Sequence, residues 1–198
     1  EGVIKGATRI GAGNSLEEIA RSSLMLCSSL VEKLADADAE ESRAVVTMSR
    51  LERLVKEKVL LKRQSLEICF NREIRYSFNS RITRIGFIGQ RLAADFALLA
   101  PHDLSQLVKD AKAKLWDLAQ LKEDIQRPEF NLSSGLNNFE LLINRVPDDD
   151  PQYSEKQIEL VQEAFNELEL KAERNEIHCR PMRSPDEIAN HIVELEAA

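Results

Sequence analysis

Glycine and proline are scarce in this 198-residue chain, at seven and six residues, against an average of roughly 12% for the two together. Neither occurs between Ser15 and Ile85, so long helices can form there without a breaker. Cysteine is scarce too. Cys27, Cys69 and Cys179 are odd in number, far apart and without any C-x-x-C pair, which excludes a disulfide scaffold and fits a reducing compartment. No run of about 18 apolar residues and no signal-type apolar region occurs, so no transmembrane segment is expected. The expected location is the cytoplasm or another reducing intracellular compartment; with Glu rather than Met at position 1, a trimmed targeting segment stays open.

Catalytic patterning is also missing. His102, His178 and His191 lie apart from any serine or acidic signature, and a general acid or base needs partners within hydrogen-bond reach. His178, Cys179 and His191 lack the second ligand pair of a structural zinc site. Gly6 and Gly11 have the spacing of a phosphate-binding loop, but the lysine such a loop requires is absent. The expectation is therefore a non-enzymatic chain with no cofactor, no metal and no catalytic residues.

What is present reads as helix. Ser15 with Glu18 forms a capping box ahead of Leu16, Ile19, Leu30 and Leu34 at helical spacing. A second, basic helix carries Met48, Leu51, Val55 and Val59 on one stripe. The stretch IRYSFNSRITRIGFIG, residues 74–89, admits a hairpin or a helix. As a hairpin its alternation fails after the turn, because Ile82 and Ile85 fall on opposite faces. As a helix, Ile74, Phe78, Ile82, Ile85, Ile88, Leu92, Phe96 and Leu99 follow one another by three or four residues, and a central helix is expected. Pro101 ends it, and Asp103 with Gln106 opens another helix that runs to Arg127-Pro128. Ser154 with Gln157 opens a helix with a coiled-coil-like seam of Ile158, Val161, Phe165, Leu168 and Ala172, and Ser184-Pro185-Asp186-Glu187 opens the last.

The expected fold is thus all-α, an elongated helical bundle of five to six helices with coiled-coil-like pairing. A flexible leader over 1–14 precedes a main bundle over 15–127. A loop and linker with one short helix spans 128–153, and an acidic helical pair spans 154–198.

Charge is segregated. Residues 43–91 carry twelve Lys/Arg against four Asp/Glu, and residues 123–198 carry seven against eighteen, within a net charge of −7. Glu155, Glu159, Glu163 and Glu167 recur at i, i+4 and repel one another by a few tenths of a kcal/mol per pair. That ridge, with Trp116 off its helix's apolar stripe, is the candidate partner surface. The expected function is a protein–protein interaction module, such as an adaptor, scaffold or assembly subunit, with a protein partner or a second copy of the chain. The alternative is nucleic-acid or anionic-lipid binding through the basic helix 43–63, using Arg43, Arg50, Arg53, Lys56, Lys62 and Arg63. The net acidity of the chain weighs against that alternative.

Overall fold

A computed structural model describes residues 47–75, 82–126 and 135–197, all within the compact unit Val46–Ala198. The leader, the helix expected from Ser15 and the candidate Arg43 lie outside the described residues. The described elements are α1 (Met48–Lys62), a 3-10 turn (Gln64–Cys69), β1 (Phe70–Arg75), β2 (Ile82–Ile88), β3 (Leu92–Leu99), α2 (Leu104–Ile125), β4 (Asn138–Arg145), α3 (Glu155–Glu173), β5 (His178–Met182) and α4 (Pro185–Ala197).

The strands overturn the all-α, coiled-coil expectation. They form one mixed sheet of order β1-β2-β3-β4-β5, in which the β1–β2 and β2–β3 pairs are antiparallel and the β3–β4 and β4–β5 pairs are parallel. Residues 74–99, expected as a central helix, supply the end of β1 and all of β2 and β3, and the short helix expected near Phe139 is β4. Every residue of β3 (LAADFALL) is buried. A strand covered on both faces reads as a continuous apolar run and satisfies a helical period as readily as its own. The hairpin alternation fails because Ile82 is 54% exposed while Thr83 and Ile85 point inward.

Helices cover both faces. On one, α2 and α3 bury Leu115, Leu118, Phe165 and Leu168 against Ile85, Ala97, Leu141 and Ile143. On the other, α1 and α4 bury Leu51, Val55, Ile188 and Ile192 against Phe87, Phe96 and Leu142. The caps read from the sequence hold at α3 and α4. Ser154 and Gln157 form a capping box, and Ser184 Oγ accepts the Glu187 N–H at 3.2 Å. Asp103 precedes α2 without making a side-chain cap.

β2 changes faces partway along. Ile85 joins the core beneath α2 and α3, whereas Phe87 joins the one beneath α1 and α4, meeting Phe70 edge-on at 5.1 Å. The change falls at Gly86, between the pairs Arg72–Ile85 and Phe70–Phe87, where Asn71 of β1 takes a left-handed φ of 52°. Such a distortion on an edge strand, with the charged Arg72, Glu73 and Arg75 beside it, discourages pairing with another chain. Pro181 does the same at the opposite edge, in β5.

The last turn of α4 is fastened to the β2–β3 turn. Glu196 accepts backbone N–H groups from Gln90 at 2.9 Å and from Arg91 and Leu92 at 3.0 Å each, while its carbonyl accepts from Arg63 at 2.8 Å. A Cβ on Gly89 would lie 2.2 Å from the Glu196 carboxylate, so the approach needs glycine at that position. Glu196→Ala leaves the buried Leu92 N–H without an acceptor, and urea unfolding should show a loss of about 1–3 kcal/mol. An unchanged midpoint would show that the turn stands without this cap.

Candidate functional site

Three charged arrangements and one groove stand out from the scaffold. The first occupies a split in the sheet. β2 pairs with β3 only at Phe87–Ala94 and Ile88–Ala93. At the next position, a Cβ on Gly86 would meet the Phe96 ring at 2.8 Å and Asp95 Oδ1 at 3.1 Å. Into this parting comes Lys114 from α2. Its ammonium donates to Glu52 Oε1 of α1 and to the Phe96 carbonyl, each at 2.8 Å, and lies 3.3 Å from Asp95 Oδ1. That oxygen also accepts the Phe96 N–H at 2.9 Å.

Burial pushes the Asp95 carboxyl up to about 6 from 3.8; Lys114 and the Phe96 N–H offset part of the rise, and Glu52 adds to it. Burial alone would lower the Lys114 ammonium, but the attraction of Asp95 and Glu52 outweighs it and holds the group above its usual range. A carboxyl that gains a proton near 6 could serve as an acid or base. The Asp95 side chain is only 4% exposed, however, and its charge is answered within the chain, so the arrangement acts as an internal counter-ion.

The second arrangement lies under α4. Glu140, buried in β4, accepts from Arg180 Nε at 2.9 Å and meets His191 Nε2 at 2.5 Å. Burial raises its pKa, yet the bonds to His191 and Arg180 prevail and hold it below the usual carboxylate range. His191 is thus committed to Glu140, His178 is exposed at the sheet edge, and Cys179 packs toward α2 and α3. The three residues weighed for zinc do not converge, and among the described residues no group of three or more His, Cys, Asp or Glu is arranged to hold a metal ion. Burial, with Glu169 adding to it, pushes the Cys179 thiol up to about 12, which leaves it without thiolate reactivity at neutral pH.

The third arrangement is the basic helix itself. Lys58 pairs with Asp186 at 2.7 Å, Lys62 donates to Asn190, and Arg63 reaches the Glu196 carbonyl, so α4 engages much of its charge. Arg53 and Lys56 form long pairs with Glu57 and Glu67, at 3.8 and 3.6 Å, and Arg50 is half-buried. The glutamate ridge lies on α3, across the sheet from this helix, and the two do not meet. Glu155, Glu159 and Glu163 are exposed. Glu167 joins Lys112 at 2.7 Å and Lys171 at 3.0 Å, and those bonds hold it below the usual carboxylate range.

The groove runs between α2 and α3. Trp116, 43% exposed, lines a cavity of about 510 Å³ with Leu115, Ala119, Lys112, Lys171 and Arg174. Lys112 and Lys171, which hold Glu167, therefore belong to the same surface as Trp116. Two candidates distant in sequence, Trp116 and Glu167, come together here. The sequence reading missed Asp95 and Glu140. The signal was a single acid within an apolar run, as in LAADFALL and NFELLINR.

No helix among the described residues is long and apolar enough to cross a membrane. Comparison with family models, curated proteins and solved structures gives no match.

The raised Asp95 value fixes the sign of a pH effect. Because the folded value lies above the unfolded one, the Asp95 contribution to stability is fully present below about pH 4 and is lost as pH rises through about 6. A carboxyl-carbon NMR titration should place the Asp95 midpoint near 6 and the Glu140 midpoint below its usual 4.5. An Asp95 midpoint at or below 4 would contradict the assignment.

Proposed function

We propose that this chain is a protein–protein interaction module without catalysis of its own, an adaptor, scaffold or assembly subunit, and that it meets its partner on the outer surface of α2 and α3. The observation that carries this reading is the half-exposed Trp116 on a groove of about 510 Å³. Tryptophan gives interfaces much of their binding energy because one side chain removes a large apolar area from water while its N–H still finds a partner. The groove accepts an apolar side chain from a partner helix. Lys112, Lys171 and Arg174 at its rim provide charge for orientation.

Two features support a non-catalytic role. The buried acids Asp95 and Glu140 are neutralised by Lys114, Arg180 and His191, and among the described residues no buried side-chain N or O lacks a hydrogen-bond partner. The rival use of the basic helix for nucleic acid or anionic lipid has less support, since Lys58, Lys62 and Arg63 are engaged by α4.

Affinity capture from the native host tests the reading with three baits: wild type, Trp116→Glu, and Leu61→Asp on α1, where Leu61 is 87% exposed. Both substitutions alter exposed positions and should change stability by less than about 1 kcal/mol. A partner retained by wild type and Leu61→Asp but lost from Trp116→Glu is the expected result. Identical captured proteins on all three baits would overturn the proposal.

A further inference from the structure

The helices change sides of the sheet between its last two strands. β3 and β4 are each followed by a helix on the same face, α2 and α3. β5 is followed by α4, which lies on the other face. Where neighbouring parallel strands send their chains to opposite faces, the exits diverge and leave a crevice at the carboxyl ends, the place where open α/β sheets bind ligands. A cavity of about 630 Å³ lies at this point. Its walls come from the chain leaving β4, from α3, from the end of β5 and from the start of α4.

The chemistry of those walls narrows the ligand. Phe165, Pro181 and Met182 give apolar surface, and Arg145 and Arg183 approach from the two strand exits. Arg145 is fixed in place: it bonds Gln162 and Asp148, and its guanidinium lies 5.8 Å from the centre of the Phe165 ring. Of the three acids here, Asp148 pairs with Arg145 and Glu187 accepts the Arg183 backbone N–H at 2.7 Å, while Asp149 is exposed to solvent. The Arg183 side chain is exposed and forms no ion pair or side-chain hydrogen bond with any described residue, so it presents a guanidinium fork to whatever enters.

We infer that the crevice between the carboxyl ends of β4 and β5 binds a small organic anion, a carboxylate or phosphate carried on an apolar or flat body. The anion meets Arg183, and the body lies along Phe165 and Met182 beside the fixed Arg145. This site lies at the strand ends and is separate from the Trp116 groove, so it stands or falls apart from the partner-binding reading.

The test is titration of the whole chain with phenyl phosphate, benzoate and the neutral benzyl alcohol, followed by amide chemical shifts. One or both anions should shift the Val146, Asp148, Asp149, Arg183 and Glu187 amides saturably, with benzyl alcohol weaker by about tenfold or more, the loss of one charged contact. Which anion binds more tightly tells a phosphate site from a carboxylate site. Arg183→Ala should weaken the better anion by a similar factor, while Lys109→Ala, on the exposed side of α2, should leave it unchanged. Three results would overturn the inference: no saturable shifts at these amides, benzyl alcohol binding as well as the anions, or Arg183→Ala binding like wild type.

Discussion

A single ammonium group, that of Lys114, is bonded to all three layers. It is carried by α2, it donates to the Phe96 carbonyl and pairs with Asp95 in the sheet, and it reaches Glu52 of α1 on the far side. It can do so because β2 parts from β3 after two paired positions and Gly86 leaves space for the Phe96 ring. A sheet paired across that gap would close the route. Burying such a cluster is expensive unless every member is answered, and here the ammonium has three oxygen partners while Asp95 also holds a backbone N–H. The arrangement therefore specifies register: shifting β3 by one residue would turn Asp95 to the other face and leave Lys114 facing alanine or phenylalanine.

The segregated charge of the sequence has a similar internal use. Basic α1 lies against α4, where Asp186, Asn190 and the Glu196 carbonyl accept from Lys58, Lys62 and Arg63. The acidic α3 draws Lys112 from α2. Much of the complementarity visible in the sequence is thus consumed in holding helices to one another across each face. What it leaves outward is smaller: the three remaining glutamates of the ridge, the groove beside Trp116, and the Arg183 guanidinium at the strand ends.

Helix starts were legible because capping is local. Ser154 with Gln157, and Ser184 followed by Pro185 and Glu187, read correctly from four consecutive residues. Strands were not, because β3 and β4 are buried on both faces and lose the alternation that identifies a strand. Gly86, Gly89 and the β-branched Ile82, Thr83 and Ile85 were the local hints of a hairpin, and the exposed Ile82 hid the pattern. Trp116 could be singled out as an off-stripe aromatic. The Lys114 cluster could not, since Glu52, Asp95 and Lys114 are brought together only by the folded sheet, and an isolated lysine in a helix reads as a solvated charge.

If Lys114 holds the layers together by answering the buried Asp95 charge, its removal must be costly and the cost must depend on pH. Lys114→Met keeps the aliphatic stem and deletes the ammonium. Urea unfolding at pH 8 should show a loss of about 3–5 kcal/mol. The loss should be smaller at pH 5, where Asp95, with its value near 6, already carries a proton. Adding Asp95→Asn to the Lys114→Met chain should recover most of the loss at pH 8. Stability at pH 8 equal to wild type, or an equal loss at both pH values, would contradict the account.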